Sequence, residues 1–279
     1  MNAWVLAARP KTLSAAVVPV LLGASLAGRV VWWVLACALA GALLIQIATN
    51  FINDALDFRK GADTGERLGP LRVTAAGLLT PDAVMRAAYI CLMLAALCGI
   101  PLIVRGGWPL LAIGVASIIA AYLYTGGPYP LAYHGLGELF VILFFGLAAV
   151  GGTYYVLTLR ITPAALIAGF AAGSLACVLL AINNLRDLPT DARSNKKTMA
   201  VRFGPAFARA EIALFAIAPF VCAAIAGVWL PLLALPIALI VIRRVFTSDG
   251  AALNGVLAVA GALQWAFGIL WVCSFIVIR

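Results

Sequence analysis

The chain has 279 residues, of which 65% are hydrophobic and only 10% charged, with a mean hydropathy of +1.10. A soluble domain of this size carries far more charge, so composition excludes a water-soluble globular protein and indicates a polytopic membrane protein. The formal net charge of +9 does not point to nucleic acid, because the cations lie in short segments between apolar runs and not on one soluble face.

Apolar runs long enough for a bilayer, about 17 to 25 residues each, can be placed nine times, at roughly 12–28, 30–50, 83–104, 108–125, 136–158, 162–184, 207–229, 231–246 and 253–277. Breakers mark the gaps: Pro81, Pro109, Gly126-Gly127-Pro128, Pro163, Pro189, Gly204-Pro205 and Pro231. Ahead of the first run, Arg9 and Lys11 followed by Leu13 to Leu22 and a small-residue stretch mimic a cleaved signal peptide. With so many apolar segments following, this run reads as a retained helix. The six cysteines (Cys37, Cys91, Cys98, Cys177, Cys222 and Cys273) have no C-x-x-C spacing and read as packing residues. Nine spans put the ends of the chain on opposite sides. All of the nineteen Lys/Arg except Arg29, Arg105, Arg160 and Arg279 then share one side with the N-terminus, and all ten acids join them. By the positive-inside rule that side is cytoplasmic.

The chemistry is concentrated in two short polar signatures. Asn53-Asp54-Ala55-Leu56-Asp57 and Asn183-Asn184-Leu185-Arg186-Asp187 share N-[DN]-x-x-D, and each ends a long apolar run. More acid follows each (Asp63; Asp191), and then basic residues. The repeat suggests a duplicated unit, with a first half at about 12–125 and a second at about 136–246. Residues three and four apart share a helix face, so Asn50, Asn53, Asp54 and Asp57 form one polar stripe. Asn183, Asn184 and Asp187 form another, with Asp191 one turn later if the helix persists past Pro189, which disfavours it. Ionisable groups at a membrane edge are costly and mark function. Hard oxygen ligands of this kind suit Mg²⁺ rather than zinc, with the phosphates of a polyanion such as diphosphate completing the shell. The bland alternative is that these acids are solvated helix caps or pair with nearby arginines.

Two mixed-charge loops, roughly 51–82 and 185–206, offer Lys60, Arg72, Arg193 and Lys197 to phosphate oxygens, although each also fits a topological anchor. The aromatic residues Tyr124 and Tyr154 fit either an interfacial belt or a shelter for an allylic cation. Glu138, an acid among apolar neighbours, either orients a polar substrate or pairs with an arginine.

Four segments, in order, carry a family likeness: Arg9-Pro10-Lys11-Thr12-Leu13; Asn53 through Asp63; Tyr124-Thr125-Gly126-Gly127-Pro128-Tyr129-Pro130 through Glu138; and Asn183 through Gly204. The chain resembles the UbiA superfamily of intramembrane aromatic prenyltransferases along nearly its whole length, and within it the 1,4-dihydroxy-2-naphthoate branch of menaquinone biosynthesis. The general first motif of the family, N-x-x-x-D-x-x-x-D, departs here to Gly61 with Asp63 two residues on, which looks like the naphthoate branch's own variant and disfavours 4-hydroxybenzoate. In the second motif, Pro189 and Asn195-Lys196 depart from the commoner pattern.

The resemblance implies a single all-α transmembrane domain over 1–279, with nine helices around a central cavity and a small cytoplasmic cap made by the two loops. Asn53, Asp57 and Asp63, with Asn184, Asp187 and Asp191, would hold two Mg²⁺ on a polyprenyl diphosphate, with Asp54 a further metal candidate. Asn53, Asp57, Asp187, Tyr124 and Tyr154 would serve catalysis, and Arg9 and Glu138 the acceptor. The enzyme would act from the cell membrane, without nucleic acid, giving demethylmenaquinone with loss of CO₂ and diphosphate. Competing expectations are another aromatic acceptor (homogentisate or 4-hydroxybenzoate), a cation-coupled secondary transporter, or a non-catalytic lipid-binding protein. Transporter sites lie near the bilayer midplane, whereas these motifs sit at helix ends.

Overall fold

Inside hydrocarbon a backbone has no water to bond, so apolar runs of this length satisfy their N–H and C=O groups internally as helices. The computed structural model describes residues 2–61 and 68–277, and every regular element among them is helical. The helices are α1 (Ala3–Ala8), α2 (Ser14–Leu26), α3 (Trp32–Arg59), α4 (Pro81–Gly106), α5 (Trp108–Leu123), α6 (Gly137–Thr158), α7 (Pro163–Arg186), α8 (Leu188–Arg193), α9 (Met199–Ile225), α10 (Leu235–Thr247) and α11 (Leu253–Val277). Among the described residues, seven helices are long and apolar enough to cross a membrane, and an eighth span results if Ala3–Thr12 and Ser14–Leu26, bent by 47° from each other, count as one. The helix α5, with 16 residues, falls short, so the expected count of nine is not confirmed.

Local chemistry sets the boundaries. Thr80, Thr162 and Thr198 each accept the N–H of the residue three on, at 3.3 Å, capping α4, α7 and α9. Pro81, Pro163 and Pro189 occupy first turns, where the absent N–H costs nothing. Pro189 does interrupt the second motif as the sequence predicts: α7 stops at Arg186, Asp187 is non-helical, and α8 restarts at Leu188. Gly204, at φ 83°, kinks α9 just before Pro205.

The buried apolar residues form four clusters, two of them large. One buried cluster joins α7, α9, α10 and α11 with Val18 and Leu22 of α2, and another joins α1, α3 and α4. The motif-bearing helices α3 and α7 thus belong to different clusters. Along the seam, glycines let backbones touch. The centre of α6 opens into a π-helix over Ile142–Gly151, where a Cβ on Gly146 would lie 2.4 Å from Gly169 O and one on Gly173 2.8 Å from Ile142 Cα. A Cβ on Gly23 of α2 would likewise meet Val150 O at 2.4 Å. Small residues provide such contacts where lipid leaves no hydrophobic force between helices.

This packing predicts that Gly146→Ala and Gly173→Val each lower the thermal midpoint in detergent, by about 1–3 kcal/mol of stability as overpacking does. Gly99→Ala in α4, whose added methyl meets open space, should be neutral or slightly stabilising. Equal midpoints for all three variants would contradict the close backbone contact.

Candidate active site

The last turns of α3 carry the first motif. Asn50, Asn53 and Asp57 turn toward one polar cavity of about 230 Å³. Asn50 Nδ2 donates to Ala8 O at 2.9 Å and to Thr12 Oγ1 at 3.1 Å, fastening the N-terminal segment to α3. Asn53 Oδ1 accepts from Thr125 Oγ1. Asp57, buried, accepts from Arg72 at 3.0 Å and from the Tyr133 hydroxyl at 3.1 Å. Asp54 departs from the expected metal role. It lies outside the cavity lining, and its carboxylate accepts from Val73 N (3.2 Å), Thr74 N (3.1 Å) and Thr74 Oγ1 (2.5 Å). One residue is about 100° around a helix, enough to turn Asp54 from the cavity to the chain after the first motif, which it pins to α3. Asp63 lies outside the described residues.

The end of α7 brings the second motif to the same cavity. Asn183, Asn184 and Asp187 all line it. Asp187 is gripped through both oxygens by Arg186, at 2.8 and 2.6 Å, and Arg186 also donates to Asn254 Oδ1 at 2.9 Å. Asn254 in turn donates to Leu68 O at 2.7 Å, so the two motif regions are linked through α11. Arg186, almost fully buried and lining the cavity, is a cation that the sequence expectation did not single out. Asn184 Nδ2 donates to Glu138 Oε1 at 3.0 Å, which makes Glu138 a partner of the second motif rather than of an arginine.

The expected phosphate cations separate. Arg72 lines the cavity. Lys60 lies beside it, donating to Thr125 O over the Tyr133 ring; burial lowers its pKa, and Asp57 opposes that shift. Arg193, which ends α8, and Lys197, in the turn that follows it, are exposed and outside the lining. Lys196 lines the cavity in their place. Arg9, in the left-handed conformation at φ 52°, also lines it.

A second cavity, apolar and about 520 Å³, adjoins the first between α2, α3, α4, α5 and α6. Ala15, Gln46, Thr49, Tyr124, Val141 and Phe145 line both. Tyr124 therefore stands at the junction, whereas Tyr154 lies outside both linings. Tyr154 is near the far end of α6, some 16 residues from Glu138, which removes it from the expected cation shelter.

The donor set fits a hard divalent cation. Asp191 is outside the cavity lining, behind Lys196, which lines it, and is buried with Oδ2 unpartnered. Burial pushes its pKa up to about 6; Lys196, 3.4 Å from Oδ1, opposes this, and the charges of Asp187 and Asp57 add to it. Such crowded oxygens are what Mg²⁺ neutralises. Among the described residues no cluster of three His, Cys, Asp or Glu side chains could hold a metal by itself.

The model of the UbiA prenyltransferase family matches residues 16–252. The 1,4-dihydroxy-2-naphthoate octaprenyltransferase of Mycobacterium tuberculosis is 44% identical over 209 residues, covering 74% of this chain and 71% of that protein. The Escherichia coli protein of the same name is 36% identical over 302 aligned positions, covering 95% and 97%. A UbiA homolog from Archaeoglobus fulgidus bound to DMAPP and Mg²⁺ shares the fold at a TM-score of 0.63 and 14% identity, covering 97% of this chain and 99% of its own. The chain belongs to the UbiA prenyltransferase family. It is an integral membrane protein and a transferase of prenyl groups.

Asp54 and Asp57 should therefore fail differently. Asp54→Ala strands Val73 and Thr74 and should cost about 1–3 kcal/mol of stability, while thermal stabilisation by Mg²⁺ with pyrophosphate survives. Asp57→Ala should abolish that ligand-induced shift. The reverse pattern in a thermal-shift titration would contradict these placements.

Proposed function

We propose that the protein transfers a polyprenyl group from polyprenyl diphosphate to 1,4-dihydroxy-2-naphthoate, with loss of diphosphate and CO₂, giving demethylmenaquinol, the hydroquinone from which demethylmenaquinone forms by a separate two-electron oxidation. The observation that carries this reading is the pairing of cavities. A small polar chamber containing both motifs adjoins a larger apolar one through shared walls, as a charged headgroup on a long hydrocarbon tail requires. The choice of acceptor follows the names of the bacterial relatives, one of them aligned along nearly its whole length. The archaeal structure with DMAPP and Mg²⁺ supports a divalent metal.

In this mechanism Asn53, Asp57, Asn184, Asp187 and Asp191, with Asp63 by the sequence motif, would hold Mg²⁺, which when bound supplies Lewis-acid neutralisation of the leaving diphosphate. Arg72, Arg186 and Lys196 add fixed positive charge around the same oxygens, so charge that develops on C–O cleavage meets preorganised partners. The allylic bond breaks where the two cavities meet, beside Tyr124, which lines both and offers an aromatic ring to shelter the cation. The ring carbon bearing the carboxylate attacks, and departure of CO₂ restores aromaticity. No strong base is needed, which agrees with the one histidine, His134, being stacked on Tyr129 at 3.5 Å and outside both cavities. Arg9 is the candidate for the acceptor carboxylate, and Glu138 acts by holding Asn184. The active site and N-terminus face the cytoplasm of a bacterial or archaeal-type cell, by the distribution of Lys and Arg.

Purified protein given dihydroxynaphthoate, geranylgeranyl diphosphate and Mg²⁺ should yield a prenylated, decarboxylated hydroquinone, or its quinone after oxidation by air, by mass spectrometry. Chelation with EDTA should stop turnover, and Asp187→Ala should reduce it by at least about 10²-fold, the scale of losing a charge-stabilising group. Product from homogentisate or 4-hydroxybenzoate, with none from dihydroxynaphthoate, would overturn the acceptor assignment.

A further inference from the structure

Tyr133 belongs to neither motif. It sits in the turn Leu131–His134 between α5 and α6, yet its surroundings are drawn from both motif regions. Its hydroxyl donates to Asp57 Oδ1 at 3.1 Å. Lys60 Nζ, following the first motif, lies 4.6 Å from the ring centroid, and Lys196 Nζ, following the second, lies 5.9 Å from it. Its carbonyl accepts Lys197 N at 3.0 Å, which ties the second loop to the same residue. The first loop is tied to the same connection, because Lys60 donates to Thr125 O and Thr125 Oγ1 donates to Asn53.

The electrostatics of this arrangement are specific. An ammonium is attracted to a ring face, but two brought to one ring repel each other. Asp57, on the phenol hydroxyl, already answers Arg72 at 3.0 Å, and Asp191 lies 3.4 Å from Lys196. A group of three cations gathered from three places in the chain is completed by a multiply charged anion, and diphosphate is that class of ligand.

We propose that Tyr133 is the positioning residue that makes one diphosphate clamp out of two loops, its ring seating Lys60 and Lys196 and its hydroxyl orienting Asp57. The proposal rests on the reading that the polar cavity binds a prenyl diphosphate. Tyr133 does not line that cavity, so it acts through the groups it holds. The ring and the hydroxyl have separable tasks. The ring sets affinity for the anion, and the hydroxyl sets the carboxylate that meets the metal.

Binding of Mg²⁺ and pyrophosphate to the purified full chain, followed by calorimetry, separates the two tasks without any acceptor. Tyr133→Phe keeps the ring, so pyrophosphate affinity should stay within about twofold while the Mg²⁺ concentration for half-saturation rises about fivefold, the scale of one lost hydrogen bond. Tyr133→Leu removes the ring as well and should weaken pyrophosphate about tenfold, the scale of two cation–π contacts. Tyr133→Trp should restore anion affinity but not the Mg²⁺ midpoint, which a merely structural role would not produce, and it tests the ring if the leucine variant fails to fold. Matching Mg²⁺ and pyrophosphate curves for wild type, Phe and Trp variants overturn the role of Tyr133 alone. Absence of binding to the wild-type chain overturns the cavity assignment as well.

Discussion

An ionised carboxylate withdrawn from water into a helical bundle costs several kcal/mol unless a counter-charge and hydrogen bonds meet it. This chain buries Asp54, Asp57 and Asp191 and nearly buries Asp187, and the rest of the site follows from how each is answered. Asp57 takes Arg72 and Tyr133, Asp187 takes Arg186, and Asp54 takes the backbone of Val73 and Thr74. Because Arg72, Val73 and Thr74 come from the following loop and Tyr133 from the α5–α6 connection, while Arg186 is held in turn by Asn254 of α11, satisfying the acids also folds those segments over the end of the bundle. The same pairs set guanidinium groups and carboxylate oxygens side by side around one cavity, which suits a metal-bound polyanion.

The bundle beneath supplies the complementary solvent. The helices α3 and α7 pack in different apolar clusters, and the tail-sized apolar cavity lies between α2, α3, α4, α5 and α6. Glycine contacts between α2, α6 and α7 bring those backbones close together. One face of the site is therefore polar and fixed by ion pairs, the other apolar and shaped by helix packing, and Tyr124 stands where they meet.

Much of this was legible in the sequence, for a physical reason. Acids are so rare in a chain of this composition that Asn53, Asp57, Asn184 and Asp187 stood out as a site, and helical periodicity placed them on stripes at helix ends. Pro189 likewise announced the break between α7 and α8. Periodicity could not say which loop would fold back, so Asp54 was grouped with the metal candidates although it secures Thr74. It also could not choose between adjacent lysines: Lys197 faces outward and Lys196 inward because of the turn that follows α8. Tyr154 looked like Tyr124 until the length of α6 separated them. Arg186, Asn254 and Tyr133 gain their importance from segments far apart in the chain, and no local pattern marks that. The π-helical centre of α6 is a packing outcome of the same kind.

The central claim is that two motifs from separate halves of the bundle act on one metal-bound diphosphate. A double-mutant cycle on Asp57→Asn and Asp187→Asn, read as the dissociation constant of geranylgeranyl diphosphate in saturating Mg²⁺, tests it most directly. The account predicts strong coupling, with the double variant binding little worse than the poorer single one. Losses that simply add, as at independent and distant sites, would contradict it.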